Sequence, residues 1–184
     1  MKTILMATAA AGLLLTSACM DTGMGGGSDA ATGGMASASD MTPTAAMPYV
    51  AMAGASDQYE IQSSQLALQQ ATSPAVKQFA QMMIQHHTQT TQQLMTAAQS
   101  AGLTPPPPQL MPMQARMIAD LQGKTGASFD RTYIQQQTTA HQMALALHST
   151  YARDGDTPAL KQAAAAATPI VQQHLDQIRG MRAS

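Results

Sequence analysis

The sequence has few charged residues, one cysteine, one glutamate (Glu60) and no tryptophan. Charged residues make up 10% of the 184 residues, against about 25% in an ordinary soluble domain. A net charge of −1 without a basic run argues against nucleic acid as a partner, because phosphate binding needs clustered Lys or Arg. One cysteine excludes an internal disulfide framework, a cysteine-rich zinc site and an iron–sulfur cluster. One glutamate excludes the usual di-iron bundle, which needs about four.

The first residues predict an export signal. A short positive start is followed by an apolar run from Ile4 to Leu15, which is too short to span a bilayer, so residues 1–18 are interpreted as a signal peptide. The segment Leu15–Cys19 resembles the lipoprotein cleavage box of bacteria. That resemblance implies lipidation of Cys19, a membrane anchor in the periplasm and, since Met20 rather than Asp follows, the outer membrane. Ordinary signal cleavage, which would give a soluble periplasmic protein, is the alternative.

Residues 19–47 are predicted to form a flexible linker. They consist mostly of Gly, Ala, Ser, Thr and Met and show neither a helical nor a strand period. Their methionines are either low-complexity filler or a loose trap for Cu(I), because thioethers are soft ligands.

From residue 48 to 184 the pattern predicts one all-α domain. Gln and Ala dominate while Val and Ile are scarce, which disfavours strands. Pro and Gly mark the helix ends, as in Ser73-Pro74, Gly102 and Thr157-Pro158. Four main helices are predicted at about 48–72, 74–101, 128–154 and 157–180, with a short one near 110–122. Two short hairpins and one long crossover containing the short helix predict a four-helix bundle of ferritin-like connectivity.

The histidines fall on the inward faces of these helices. His87 lies on the apolar stripe of the second helix, with His86 at its edge. Glu60 and His86 are equally far from the turn of the first hairpin, one before it and one after it, so they are expected at the same height along the bundle. The groups expected at one depth, one from each main helix, are Glu60, His87, His141 and His174. Three imidazoles and a carboxylate suit copper, zinc or iron. The alternative is a buried hydrogen-bonded network without metal.

Several motifs also resemble a known family. They are Tyr59-Glu60-Ile61, the run from Val76 to Thr88, Phe129 to Tyr133 with His141 beyond it, and Pro169 to Leu175. Together they resemble the bacterial envelope family called domain of unknown function 4142, from about residue 49 to 179. The resemblance implies a ferritin-like fold, a secretion or lipoprotein signal and no established common activity. The family has Asp-His where this chain has His86-His87, so His86 replaces an acid and adds a softer ligand.

Two further points of resemblance concern single helices. The stretch from Phe79 to Met95 is similar to a related ferritin-like family with a Met-Ile-x-His-His segment, associated with metal handling, which implies copper. Asp130 and Tyr133 match the first family's Phe-Asp-x-x-Tyr. We interpret Asp130 as complementing the dipole of its own helix and Tyr133 as a packed residue with a satisfied hydroxyl, rather than as supports of metal ligands.

Three functions are consistent with the sequence. The first is a lipid-anchored envelope protein that binds a transition metal for sensing, buffering or protection, with Glu60, His87, His141 and His174 as ligands and His86 adjacent. The second is a metal-free structural or interaction module of the envelope. The third is a redox enzyme, which has the least support because bridging carboxylates are scarce; enzymatic activity is therefore uncertain.

Overall fold

The computed structural model describes residues 42–181, and all regular elements in that range are α-helices. They are α1 (Ala46–Gln70), α2 (Pro74–Ser100), α3 (Pro112–Gln122), α4 (Gly126–Asp154) and α5 (Pro158–Arg179). The all-α prediction is confirmed, and each helix lies within a few residues of its predicted bounds. None of these five helices is long and apolar enough to cross a membrane.

The helix ends follow the local chemistry of proline, serine and glycine. Ser73 caps α2 by accepting a hydrogen bond from the Val76 amide at 3.5 Å, and Pro74 occupies the first turn, where its missing N–H costs nothing. Gly102 follows α2 with a φ of 75°, a conformation that glycine adopts without strain. Helix α5 continues through Pro169.

The role predicted for Asp130 is corrected by the structure. Helix α4 begins at Gly126, so Asp130 lies beyond its first turn and does not complement the dipole there. Its buried carboxylate instead accepts hydrogen bonds from the Ser73 amide at 2.9 Å and from the Thr72 hydroxyl at 2.7 Å. Asp130 therefore holds the start of α2. Tyr133 packs as predicted, with its hydroxyl 2.8 Å from Ser64 Oγ.

Four long helices surround a common interior. Helix α1 packs against α2 and α4, and α5 packs against α4 and α2, while the short α3 lies against α1 and α4. The segment before α3 approaches α1 closely at Gly54, where an added Cβ would lie 3.1 Å from Pro108 Cβ. Glycine at this position lets the connecting segment pack directly on α1.

The apolar core consists of two clusters. The upper cluster contains Ala46, Tyr49, Val50, Ala53, Leu94, Ala98, Leu147, Tyr151, Leu160 and Ala164. The lower cluster contains Ala67, Ala71, Val76, Phe79, Ala80, Met83, Leu121, Phe129, Tyr133, Leu175 and Ile178. On every long helix the two clusters are separated by a stretch with buried polar residues, and this polar layer holds the candidate site.

Candidate metal centre

A layer of buried polar side chains interrupts the apolar core at mid-height. Its members are Asp57, Glu60, Ser63, Ser64, His87, Gln137, His141 and His174. Since burying a polar group without a partner costs free energy, the contacts of each group decide what the layer can do.

Three histidines from three helices converge in this layer. His87 on α2, His141 on α4 and His174 on α5 each offer one ring nitrogen, and these nitrogens lie within 4.8 Å of one another. The ring centroids are 5.4 to 5.8 Å apart. Each ring is 1–3% exposed, so the triad is enclosed by protein. Its apolar neighbour is Phe79, whose ring lies about 6 Å from those of His141 and His174.

The outer nitrogen of each histidine has a hydrogen-bond partner. His87 Nδ1 bonds Asp57 Oδ1 at 2.7 Å, and His141 Nδ1 donates to the Gln137 carbonyl at 2.9 Å. His174 Nε2 pairs with Nδ1 of His86 at 2.8 Å. Metal-binding histidines are usually oriented in this way through their second nitrogen.

The remaining nitrogens of the triad are buried and lack hydrogen bonds. They are His87 Nε2, His141 Nε2 and His174 Nδ1. Orphaned buried polar atoms are rare in folded proteins and call for an explanation, such as an ion.

Burial keeps two of the imidazoles neutral. Burial, together with the charge of His87, lowers the pKa of His141 from 6.5 to about 3 and that of His174 to about 2. Burial also lowers the pKa of His87, but its hydrogen bond to Asp57 and the charge of that carboxylate outweigh burial, so the net pKa is raised. Neutral imidazole is the form that binds metal, so His141 and His174 are already in that form, whereas His87 would release a proton on binding an ion.

Glu60 brings a carboxylate without a hydrogen bond into the layer. It is 1% exposed, neither side-chain oxygen has a hydrogen-bond partner, and Oε1 lies 3.6 Å from His141 Nδ1. Burial raises its pKa to about 7, although the charge of His87 opposes this. A bound cation would compensate a charge that is costly to bury alone.

Asp57 was not among the residues predicted for the site. Besides His87, its carboxylate accepts hydrogen bonds from the hydroxyls of Thr90 and Thr91, each at 3.0 Å. Asp57 lies one turn before Glu60 on the same buried face of α1. That i, i+3 spacing of two acids is the signal in the sequence that could have identified it.

The predicted site residues fall into three groups. His87, His141 and His174 converge in the polar layer. Glu60 is buried in the same layer, but its Oε1 lies 3.6 Å from Nδ1 of His141, the nitrogen that bonds the Gln137 carbonyl, and it is not part of the converging group. His86 is half-buried at the edge of the layer, stacked on His174 with ring centroids 5.0 Å apart. His148, the remaining histidine of the chain, bonds the Tyr49 hydroxyl at 3.0 Å instead of joining the triad. Cys19 lies outside the described residues. The ligand assignment itself stays a prediction.

The chemistry of this layer fits a transition metal. Three imidazoles with free nitrogens can hold such an ion, and a carboxylate beside them can balance its charge. In a hydrogen-bonded network without metal, these buried nitrogens and carboxylate oxygens would have no partners.

Comparison with solved structures shows a shared fold. The chain is similar to CopM in its Cu(II)-bound form, with 22% identity, a TM-score of 0.64 and coverage of 76% of this chain and 95% of that one. It is also similar to the Cu(I)-bound form (22% identity, TM-score 0.60, coverage 73% and 92%) and to the silver-bound form (21% identity, TM-score 0.60, coverage 73% and 93%).

The sequence comparisons identify the family. No curated protein matches the chain at a significant level. The family described as domain of unknown function (DUF4142) matches residues 30–181, which is most of the chain and agrees with the resemblance seen in the motifs. The chain therefore belongs to the DUF4142 family.

Proposed function

We propose that this protein binds a transition metal ion in the polar layer through His87, His141 and His174, with Glu60 as a further ligand. The observation that carries the proposal is a set of buried atoms without hydrogen-bond partners: one nitrogen on each histidine and both oxygens of Glu60, with Gln137 Oε1 as a further such atom in the layer. His86 supports the site through its hydrogen bond to His174.

Copper is the metal we favour. A site of nitrogen donors binds Cu(II) more tightly than the other divalent ions of the first transition row. The similar solved structures are named as copper-bound and silver-bound forms of CopM, which supports the same choice here. Copper buffering or protection of the cell envelope is the role that follows, with zinc and iron as the competing ions.

We propose further that the protein is a periplasmic lipoprotein with a ferritin-like bundle, anchored through Cys19 to the outer membrane. The lipoprotein-like box Leu15–Cys19 and the single long connection between α2 and α4 support these assignments. Metabolic labelling with an alkynyl fatty acid, followed by membrane fractionation, tests the anchor. We expect label and outer-membrane location for the natural chain and loss of both for Cys19→Ser; an unlabelled natural chain would refute the anchor.

Metal analysis of the untagged protein tests the site. After loading with copper, zinc or iron and dialysis, we expect one ion per chain, bound copper being retained best. Electron paramagnetic resonance of the Cu(II) form should show coupling to imidazole nitrogens. The double variant His141→Gln, His174→Gln should lose the ion, because Gln keeps much of the volume but removes the imidazole donor.

His148→Gln is the matched control. His148 is also a buried histidine of α4, 8% exposed, but its ring bonds Tyr49. This control should keep the ion. A natural chain that binds none of the metals would overturn the proposal in favour of a metal-free module, and equal binding by the double variant would overturn the ligand set.

A further inference from the structure

A cavity outside the polar layer has methionine as the most frequent residue type in its lining. Its volume is about 260 Å³, and it lies between α1, α4 and the segment that contains α3. Five methionines line it: Met52, Met111, Met113, Met117 and Met143. We call this the methionine cavity.

The methionine cavity is separate from the histidine centre. Tyr59 and Ala140 line the cavity, while their chain neighbours Glu60 and His141 turn into the core. The cavity therefore lies where α1 packs against α4, on the side of these two helices that faces away from the histidine centre, and at the same height along the bundle. Among residues 42–181, those that line it include no histidine, cysteine, aspartate or glutamate, so the metal-binding chemistry that these residues offer is that of the thioether.

The methionines are concentrated where apolar packing does not require them. Within residues 42–181 the large hydrophobic side chains that are exposed are all methionines, and Met111, Met113 and Met143 of the cavity are 38%, 42% and 46% exposed. Met113 and Met117 lie four residues apart on α3, so they share one face of that helix. Leu would supply as much apolar surface, whereas only Met adds a sulfur donor.

These side chains line one cavity, and the scaffold fixes the segments that carry them. Pro108 packs on Gly54 and fixes the segment before α3 against α1, while α3 also contacts α4. Met side chains are unbranched and flexible, so their sulfurs can converge on one ion even though the backbones are separate.

We propose that the methionine cavity binds a soft monovalent cation, Cu(I) or Ag(I), through thioether sulfurs of these methionines. Soft thioethers select such ions, whereas imidazole and carboxylate suit the divalent ions proposed for the histidine centre. The cavity would thus give the protein a second site for a different oxidation state of copper. This inference does not depend on metal binding at the histidines.

Nuclear magnetic resonance of the full chain, labelled with methyl-¹³C methionine, tests the proposal with Ag(I) as the probe. Silver nitrate in chloride-free buffer should shift the five cavity methyl resonances. The resonance of Met47, which is 41% exposed but does not line the cavity, should stay in place. Shifts confined to methionines outside the cavity, or no shifts, would overturn the proposal.

Equilibrium dialysis of a leucine variant provides the second readout. Replacing all five cavity methionines by Leu nearly preserves volume and apolarity, so a packing role would survive while one bound Ag(I) per chain is lost. A matched variant with Leu at Met47, Met82, Met95 and Met181 should keep that ion. The His141→Gln, His174→Gln chain should keep the cavity methyl shifts, which separates this site from the histidine centre. Undiminished Ag(I) binding by the five-Leu chain, once circular dichroism shows that it is folded, would overturn the proposal.

Discussion

At the scale of single residues, Asp57 determines how His87 faces the centre. Its carboxylate engages His87 Nδ1 at 2.7 Å, and two threonine hydroxyls hold it in place. The free nitrogen of His87 is therefore Nε2. A carboxylate in this position raises the basicity of the imidazole and fixes the ring.

Replacing Asp57 by Asn tests this support. Asn keeps the size and one acceptor oxygen but removes the charge that holds His87 in place. If the histidines bind copper as proposed, we expect Asp57→Asn to weaken binding by about 10- to 100-fold. Competition with a chromophoric chelator measures the affinity.

Asp130→Asn is the control for this substitution. Asp130 is equally buried, yet its partners are Thr72 and Ser73 at the start of α2. It should leave copper affinity unchanged. Unchanged affinity in Asp57→Asn as well would show that Asp57 does not orient a ligand.

Asp57 also shows the limit of residue-level prediction. The apolar stripes and the hairpin symmetry are sufficient to predict that Glu60, His87, His141 and His174 face the interior, and the three histidines converge there, because helix periodicity fixes which side chains face inward. That Asp57 bonds His87 depends on the rotamers of both side chains and on which turn of α1 lies beside which turn of α2. These are tertiary quantities that a one-dimensional pattern does not contain.

At the scale of elements, the helix bounds could be predicted because Pro and Gly act locally. Pro74, Pro158 and Gly102 mark helix ends through their own backbone constraints. Asp130 could not be assigned in this way, because its partner Thr72 lies 58 residues away. A cap supplied by another helix leaves no signature near the helix that it caps.

The start of α2 should be sensitive to Asp130→Ala. The change removes the acceptor for the amides of Thr72 and Ser73 and for the Thr72 hydroxyl. Ser73 is buried whereas Thr72 is exposed, so water can replace the acceptor for Thr72 but not for the Ser73 amide. Since one unsatisfied buried group costs about 1–3 kcal/mol, we expect the free energy of unfolding to fall by roughly that amount. Urea unfolding followed by circular dichroism measures it.

Asp176→Ala is the reference for that measurement. Asp176 is an exposed aspartate of α5 that accepts a hydrogen bond from Gln172, and such surface changes are usually within about 0.5 kcal/mol. Equal losses in the two variants would contradict a special role of Asp130.

At the scale of the whole molecule, the buried histidines and Glu60 make the free energy of unfolding depend on pH. Burial lowers the pKa of His141, His148 and His174 to about 3, 4 and 2, so these residues stay neutral in the folded protein. In the unfolded chain they take up protons below about pH 6.5. This difference destabilises the fold as the pH falls.

Glu60 has the opposite effect. Burial raises its pKa to about 7, so the folded protein holds a proton there that the unfolded chain releases above about pH 4.5. The raised pKa of His87 likewise makes the folded protein bind more protons than the unfolded chain. This effect falls chiefly above pH 6.5, where the unfolded histidine is neutral. At these sites the unfolded chain therefore binds about one more proton than the folded protein near pH 6 and about two more near pH 5.

We accordingly expect the metal-free protein to lose stability on acidification through this window. One to two protons correspond to a slope that steepens from roughly 1.5 kcal/mol per pH unit near pH 6 to roughly 3 near pH 5. Urea unfolding in the presence of a chelator, at intervals from pH 7 to pH 5, measures it. His148→Gln should reduce the slope by about one proton, or about 1.4 kcal/mol per pH unit, since it removes a buried imidazole that lies outside the triad. Stability that stays level or rises from pH 6 to pH 5 would mean that these imidazoles are protonated in the folded state, and the layer would then repel a cation instead of binding one.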